Sequence, residues 1–506
     1  MTASRFGWID IAVLLAYLAG STAFGLWVGR RQKTATTYFV ADRDIPWWAV
    51  MFSVVASETS ALTFISIPGL SYAGDLGFLQ VCAGYILGRI VVAAVLLPRY
   101  FEGNLVTAYT LLETRFGGAT RRFTAIVFLV TRALADSVRV FATAIPVALI
   151  IGPVMPREYL MPTAILVLGL LTVLYTYKGG MRAVVWTELL QAGIYLLGGG
   201  AALVLLGRFT AGGWSGILAA SGAAGKLRAV NFTFTWSDPH TVWAGLLGGS
   251  FLAMASHGAD QLIVQRLLSA RSLRDAQRAI VGSGIVVFAQ FTLFLTVGLG
   301  LWSAYAGRTF ASTDEVFPTF ILEQMPHGLL GLVVAAVVAA TMSTHSGAIN
   351  SLAATTTHDI YLPLTGRGAD DPETFRAGKR FALLWGVVLT VGALLFPEGR
   401  TPVVVIALSI ASFTYGALLG GFFLGIFVPR ARQRDAILGM SVGLTAMALV
   451  VFARLIGTAI PPLAPVLHPF EFVAWPWYVL IGSTVTVSTG ILSSFLMQPP
   501  LNKSRA

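Results

Sequence analysis

Long apolar runs separated by short polar connections follow one another along the whole chain. Thirteen runs are long enough to cross about 30 Å of hydrocarbon, a distance that an α-helix spans in about 20 residues. The predicted spans are 8–28, 46–73, 76–98, 123–152, 159–177, 184–207, 240–264, 280–304, 328–356, 379–396, 402–428, 436–455 and 475–496. This pattern predicts an all-α polytopic membrane protein, one transmembrane unit over residues 1–506.

Composition supports the same class. The 506 residues are 56% hydrophobic and 11% charged, whereas a soluble domain carries about 25% charged residues. The one cysteine, Cys82, lies in an apolar run, which excludes a disulfide framework and a thiolate metal cluster.

Basic residues concentrate in alternate connections, beginning with the one after the first span. Because cytoplasmic loops of membrane proteins are enriched in Lys and Arg, we predict an external N-terminus, a cytoplasmic C-terminus and a location in the inner (plasma) membrane. The net charge of +11 is then a topology signal. The expected large partner is the lipid bilayer and not a nucleic acid.

The second span is unusually polar for its depth. Residues 51–74 contain Glu58 and several hydroxyl side chains, followed by Pro68 and Gly69. A helix that is interrupted at membrane depth is stable only where other protein or a water-filled cavity satisfies its backbone hydrogen-bonding groups. Interrupted spans of this kind indicate the ion and solute site of a secondary transporter. Candidate solute contacts in and just after this span are Glu58, Ser60, Thr63 and Gln80.

The seventh span is interrupted as well, around Ser256, His257 and Asp260. It lies five spans after the second and runs in the opposite direction, as an inverted repeat requires. We add Ser256 and His257 to the predicted solute contacts, and we expect Asp260 to anchor the neighbouring loop. The predicted units are a first repeat at 46–207, a second at 240–428 and C-terminal helices at 429–506.

A third polar segment contains Ala340, Ser343 and Thr344, which share one helix face by their spacing. Two hydroxyls and a carbonyl supply oxygen ligands of the kind that a small hard cation binds. Carbonyls at Ala56 and Thr59, near the break in the second span, complete the set. The alternative is that the hydroxyls bond back to carbonyls of their own helix.

Arg132, Asp136 and Arg139 occupy i, i+4 and i+7 of the fourth span. Intramembrane ionisable residues are costly and are functional candidates by default. We predict that Arg132 and Asp136 contact the solute, since a guanidinium suits a carboxylate. The alternative is a closed network of these three residues with Glu58 that holds helices together. Arg89 is expected to pair locally or to extend toward the cytoplasmic end.

Several motifs, in order along residues 8–430, resemble the sodium:solute symporter family. They are FISIPGLSY (64–72), YTYKGGMRAVVWTELLQ (175–191), DQLIVQRLLSARSLRDAQRA (260–279) and the Ala340–Ser343–Thr344 pattern followed by Asn350, Ser351 and DIY (359–361). The resemblance implies a LeuT-type 5+5 core at 46–428, with one extra N-terminal and two C-terminal helices. It also implies a sodium site at Ala56, Thr59, Ala340, Ser343 and Thr344.

The resemblance also bears on stoichiometry and solute. Glu188 stands where members with a second sodium have an aspartate, and Gly347 where another serine is expected, so we predict one Na+ per cycle. The glutamine and asparagine of sugar-binding members are replaced by Thr63 and Ala253. Together with the arginines of the fourth span, this leads us to expect sodium-coupled import, by alternating access, of a small anionic or zwitterionic organic solute that bears a carboxylate. A monomer is expected to be sufficient. A sodium/sugar symporter and a proton-coupled carrier are the alternatives; no motif of an enzyme is present.

Overall fold

The structure, a computed structural model, describes residues 6–29, 43–58, 61–102, 107–151, 155–176, 181–368, 371–396 and 403–496. Apart from one isolated bridge between Ile45 and Ala270, these ranges are helices and their connections. The α-helices are α1 (Trp8–Gly29), α2 (Trp47–Glu58), α3 (Ala61–Ala73), α4 (Leu79–Phe101), α5 (Tyr109–Phe116), α6 (Gly118–Ile151), α7 (Arg157–Thr176), α8 (Met181–Phe209), α9 (Gly213–Ala223), α10 (Gly249–Gly258), α11 (Gln261–Leu268), α12 (Leu273–Ala304), α13 (Val316–Gln324), α14 (Leu329–Thr365), α15 (Pro372–Leu394), α16 (Val403–Phe427), α17 (Gln433–Val451), α18 (Ala453–Ala459), α19 (Ala464–Leu467) and α20 (Trp477–Leu496).

Within the described residues, eight helices are long and apolar enough to cross a membrane, or nine if α2 and α3 form one bent span. Each of the thirteen predicted spans coincides with a described helix or helix pair. The all-helical membrane class is therefore confirmed, while the number thirteen stays a prediction. Helix α6 carries three charged residues at membrane depth, Arg132, Asp136 and Arg139.

The two predicted breaks are present. Helices α2 and α3 meet at 60°, and residues 59 and 60 between them lie outside the described part. Helix α10 ends at Gly258, and Asp260 caps α11 by accepting a hydrogen bond from Leu262 N at 2.8 Å. Helix α3 continues through Pro68, so Pro68 and Gly69 do not mark the break. Gly69 instead allows the backbone of Thr313 to approach α3 closely, because a Cβ added at Gly69 would clash with the Thr313 carbonyl group.

The connections sort onto two ends of the bundle. One end, which we call the outer end after its predicted orientation, joins the connections at residues 72–76, 226–243, 305–327 and 474. Its bonds include Tyr72 Oη to Arg308 O at 2.5 Å, Lys226 Nζ to Gly74 O at 2.8 Å and Ala474 N to Trp236 O at 2.7 Å. All of these connections are predicted to be external.

The opposite end, which we call the inner end, joins the connections predicted to be cytoplasmic. Its bonds include Ile45 N to Ser269 O at 3.2 Å, Arg121 Nε to Asp359 Oδ1 at 2.6 Å and Arg430 Nε to Ser494 O at 2.8 Å. The alternation of the spans therefore agrees with the predicted order, although which end faces the cytoplasm stays a prediction.

The extra helices pack closely onto the core through glycines. A Cβ added at Gly331 of α14 would lie 2.6 Å from backbone atoms of Asp10 in α1. The Asp10 carboxylate accepts hydrogen bonds from Gly328 N at 2.8 Å and Gly331 N at 3.0 Å. A residue of α1 therefore caps the N-terminus of α14. At the C-terminal side, a Cβ at Gly416 of α16 would lie 2.8 Å from the Gly482 Cα of α20.

Candidate solute and ion site

Glu58 is the last residue of α2, and its carboxylate forms an ion pair with Arg89 of α4. The Arg89 side chain is fully buried and donates from Nη1 to Ser283 Oγ at 2.8 Å. Arg89 thus pairs and does not extend toward a membrane surface. The predicted network in which Glu58 closes onto the arginines of the fourth span is wrong, because Arg89 lies across from the break and takes the carboxylate.

Two further predicted solute contacts lie beside this pair. His257 Nε2 is 3.4 Å from Glu58 Oε2, and Ser256 Oγ is 2.8 Å from His257 Nδ1. Since Ser256 and His257 lie at the end of α10, the polar ends of the two broken spans face each other here. The Thr63 hydroxyl of α3 donates to Glu58 O at 3.4 Å. The fold therefore brings four of the predicted contacts together.

The other two predicted contacts near the break are placed differently. Ser60 lies outside the described residues. The Gln80 side chain donates to Gly77 O at 3.1 Å and to His240 O at 2.7 Å, and it accepts from Asn231 N at 2.9 Å. Its amide thus holds the outer connections together, and its contact with a solute stays a prediction.

Arg132 of α6 is bound to two carboxylates. Its Nη2 lies 3.0 Å from Asp260 Oδ2 and its Nη1 lies 3.4 Å from Asp136 Oδ1. Asp260 also accepts a hydrogen bond from Tyr415 of α16. Because all four side chains are buried, this cluster ties α6 to the break between α10 and α11. Asp260 anchors its loop as expected, and it is also the main partner of Arg132.

Arg139 lies two turns further along α6 and has a different environment. Its Nε is 3.6 Å from Asp136 Oδ1, which is too long for a hydrogen bond. Its buried Nε and Nη1 make no hydrogen bond to any described residue, and the same holds for both ring nitrogens of His345. A small cavity between α6 and α14 is lined by Asp136, Arg139, Val140, Thr143, Thr341, Thr344 and His345.

The predicted sodium ligands lie on α2 and α14, partly outside the described residues. Thr59 is not described, nor are the side chains of Ala340 and Ser343. Ala56 is buried in the last turn of α2, and Thr344 is buried in α14. The Thr344 hydroxyl makes no hydrogen bond to a described residue, whereas the Thr341 hydroxyl donates to Val337 O at 2.7 Å. Thr344 therefore has a hydroxyl oxygen available for an ion.

Sequence reasoning missed one buried cluster at the inner half of the bundle. Arg266 Nη2 of α11 lies 2.6 Å from Glu188 Oε1 of α8. Ser53 and Ser57 of α2 donate to the two oxygens of the same carboxylate, at 2.5 Å and 3.3 Å. The signal was available, since Glu188 is an acidic residue inside a predicted span. The sequence does not reveal which residue pairs with Glu188, because Arg266 lies 78 positions away.

Multivalent-metal chemistry has no support among the described residues. They contain no group of three His, Cys, Asp or Glu side chains that could hold a metal ion, and Cys82 is buried as a free thiol.

Comparison with known proteins agrees with this geometry. The model of the sodium:solute symporter family matches residues 38–443. The sodium/sialic acid symporter NanT of Aliivibrio fischeri is 29% identical over 517 residues, covering 99% of this chain and 96% of that protein. The sodium/sialic acid symporter SiaT of Proteus mirabilis is 29% identical over 458 residues, covering 87% and 89%.

A solved structure gives the same result for the fold. A Na+-coupled sialic acid symporter in a substrate-bound outward-open state matches with a TM-score of 0.83 at 27% identity, covering 98% of this chain and 99% of that one. The predicted family, the LeuT-type fold and the use of Na+ are thereby confirmed. The chain belongs to the sodium:solute symporter family and is a multi-pass membrane protein that couples the transport of a small organic solute to sodium.

Proposed function

We propose that the chain imports a carboxylate-bearing solute together with one sodium ion, and that Arg139 binds the solute carboxylate. The observation that carries this proposal is the difference between two arginines on one helix face. Arg132 has two carboxylate partners, Asp136 and Asp260. Arg139 has two buried N–H groups without an acceptor among the described residues, beside a cavity.

The chemistry of the cavity suits a carboxylate. A buried donor without an acceptor costs about 1–3 kcal/mol, and a carboxylate offers two oxygens to the fork of a guanidinium. His345, also unpartnered among the described residues, supplies one further N–H. Binding at Arg139 leaves the Arg132 cluster intact, so the helices stay anchored while the solute enters and leaves.

The relatives suggest which acid to test first. NanT and SiaT are named as sodium/sialic acid symporters, and sialic acid is a sugar that bears a carboxylate. It combines the anionic group that Arg139 suits with hydroxyls for the polar cluster at the break. We propose an acidic sugar as the solute, with its hydroxyls near Glu58, Ser60, Thr63, Ser256 and His257.

Sodium binds next to the carboxylate in this proposal. Its ligands are the carbonyls of Ala56, Thr59 and Ala340 and the hydroxyls of Ser343 and Thr344. Thr344 also lines the cavity beside Arg139, so the bound cation and the solute anion are neighbours. Their attraction makes each raise the affinity of the other by the same factor, as linkage requires.

The cycle follows from this arrangement. External sodium bridges the broken second span to α14 and forms the solute site; closure at the outer end and opening at the inner end then release both. The proposed units are the repeats 46–207 and 240–428, with 429–506 as peripheral helices. Import of a monoanion with one sodium ion moves no net charge, so the sodium concentration gradient, and not the membrane potential, drives this cycle. We place the N-terminus outside and the C-terminus in the cytoplasm, in an inner membrane, with a monomer sufficient and no catalytic role.

Uptake into proteoliposomes tests the proposal. N-acetylneuraminate, a simple monocarboxylate and galactose are each offered under an inward sodium, potassium or proton gradient of equal size. We expect uptake of the acidic sugar under the sodium gradient alone. Uptake of galactose in its place would support the sodium/sugar alternative. Uptake that follows protons would transfer the coupling role to Glu58, Asp136 or a histidine.

A further inference from the structure

Three side chains around the cavity between α6 and α14 carry buried polar atoms that no described residue satisfies. These atoms are Nε and Nη1 of Arg139, both ring nitrogens of His345, and Oδ2 of Asp136. All three side chains line the cavity, and Asp136 and His345 are 2% and 4% exposed. Because buried polar groups in proteins are nearly always hydrogen-bonded, the cavity suits a ligand that supplies the missing partners.

The unsatisfied atoms are of two kinds. The guanidinium of Arg139 and one nitrogen of a neutral His345 are donors, whereas Asp136 Oδ2 and the other nitrogen of His345 are acceptors. An ionised carboxylate has acceptors only. It satisfies the donors and leaves both acceptors without a partner. A solute that completes the cavity therefore carries a hydrogen-bond donor beside its carboxylate.

The other polar side chains of the cavity do not supply this donor. The Thr143 hydroxyl donates to Arg139 O at 3.0 Å, and the Thr341 hydroxyl donates to Val337 O at 2.7 Å. The hydroxyl of Thr344 belongs to the proposed sodium site. The two acceptors are thus left to the solute.

Charge decides which donor the solute carries. Two guanidinium groups, of Arg132 and Arg139, lie beside the carboxylate of Asp136, and Asp260 adds a second carboxylate. With His345 neutral, these side chains balance, and one sodium ion balances the carboxylate of the solute. An ammonium group would add an uncompensated positive charge in a site shielded from water, where like charges repel strongly. A hydroxyl group supplies the donor without a charge.

We propose that this cavity binds a 2-hydroxycarboxylate group, with the carboxylate at Arg139 and the 2-hydroxyl between Asp136 and His345. The inference rests on the carboxylate site proposed above and names the chemical class of its solute. The 2-hydroxyl donates to Asp136 Oδ2, the charged acceptor, and accepts from the N–H of His345. The second nitrogen of His345 then accepts from a further hydroxyl of an acidic sugar.

Transport of N-acetylneuraminate and its 2-deoxy analogue into proteoliposomes under an inward sodium gradient tests the proposal. Both compounds keep the carboxylate, and the analogue lacks a hydrogen bond to a charged group, so its kcat/KM in the wild type should be lower by at least about tenfold. His345→Leu removes a neutral hydrogen bond and should reduce that preference by about two- to tenfold.

Thr143→Ala is the matched control, because it removes a hydroxyl of the same cavity that is already bonded within its own helix. It should keep the preference for the 2-hydroxy acid. Equal transport of the two acids by the wild type, or an unchanged preference in His345→Leu, would overturn the proposal.

The carboxamide of N-acetylneuraminate separates this inference from the carboxylate site on which it rests. The preference for acid over amide depends on Arg139 and should persist in His345→Leu. A wild type that prefers the acid to the amide but ignores the 2-hydroxyl would refute the present inference alone. A wild type that ignores both changes would refute the carboxylate site as well.

Thermal unfolding in detergent gives a measurement that does not depend on transport. His345→Leu replaces a buried imidazole that has no described partner with an apolar group, so it should not lower the unfolding temperature. A clear loss, larger than that of Thr143→Ala, would show that His345 has a structural partner and would contradict the proposal.

Stabilisation of the wild type by three-carbon acids distinguishes the hydroxyl from an ammonium group. In NaCl and at equal concentration, lactate should raise the unfolding temperature more than propionate or alanine, because a ligand stabilises the folded state according to its affinity. Any other order would overturn the proposal, and a larger effect of alanine would assign the position of the hydroxyl to an ammonium group.

Discussion

Arg132 and Arg139 lie two turns apart on one face of α6, yet their guanidinium groups are used differently. Arg132 Nη2 is 3.0 Å from Asp260 Oδ2 and is nearly fully buried. The Arg139 side chain is 23% exposed, and the carboxylate next to it among the described residues is that of Asp136, at 3.6 Å. The two arginines that the sequence pattern groups together thus differ in their partners, and a solute contact at either one stays a prediction.

Arg132→Gln should destabilise the protein strongly. The change leaves Asp260 buried and without its guanidinium, which typically costs about 3–5 kcal/mol. Arg139→Gln is the matched control: Asp136 keeps Arg132 as a partner, so the loss should be small. Thermal unfolding in detergent compares the two variants. Equal losses would mean that Arg139 has the same structural role as Arg132.

Thr344→Ala should weaken sodium activation of uptake. We take the loss of one oxygen ligand as equal to the loss of a hydrogen bond to a charged group, which costs about 1.5–3 kcal/mol. The sodium concentration for half-maximal uptake should therefore rise by at least about tenfold. Thr341→Ala is the control, because that hydroxyl already donates to Val337 O. Full sodium dependence in Thr344→Ala with an unchanged midpoint would refute the ligand assignment.

Glu58→Gln should lower the unfolding temperature because it leaves the fully buried Arg89 without its carboxylate. The double variant Glu58→Gln with Arg89→Met should recover most of that loss, since it no longer leaves an uncompensated buried charge. Thermal unfolding of the single and double variants measures the coupling. Losses that simply add would show that the two side chains do not depend on each other.

Gly331→Ala should separate α1 from α14. The new Cβ would lie 2.6 Å from Asp10 backbone atoms, which cannot rotate away, and overpacking of this kind costs about 1–3 kcal/mol. Gly193→Ala in α8 is the control, because nothing lies within 4 Å of its added Cβ and alanine favours a helix by up to about 1 kcal/mol. The unfolding temperatures of the two variants in detergent measure the difference. A neutral Gly331→Ala would mean that α1 is loosely held.

Local patterns predicted the features of this site that depend on neighbours in sequence. The break before Asp260 and the shared face of Arg132, Asp136 and Arg139 follow from helix periodicity and from the expense of polar groups in a membrane. Thr344 follows from its spacing to Ala340. Each of these needs only the geometry of one helix.

Long-range pairing could not be read in the same way. Glu58 pairs with Arg89, 31 positions away, and Glu188 pairs with Arg266, 78 positions away. Several carboxylates and arginines in spans are chemically equivalent partners, and only the packing of α2, α4, α8 and α11 selects among them. Gln80 shows the same limit, because its position near a span start does not reveal the loop atoms that it binds.

The most direct test of sodium-coupled carboxylate transport compares an acid with its carboxamide in proteoliposomes under an inward sodium gradient. N-acetylneuraminate and its carboxamide are the first pair, with wild type and Arg139→Gln. Losing one charge-assisted contact costs about 1.5–3 kcal/mol, so the wild type should prefer the acid about 10- to 100-fold in kcat/KM. Arg139→Gln should lose that preference and keep its sodium dependence. Equal transport of acid and amide by the wild type, or an undiminished preference in Arg139→Gln, would contradict the account.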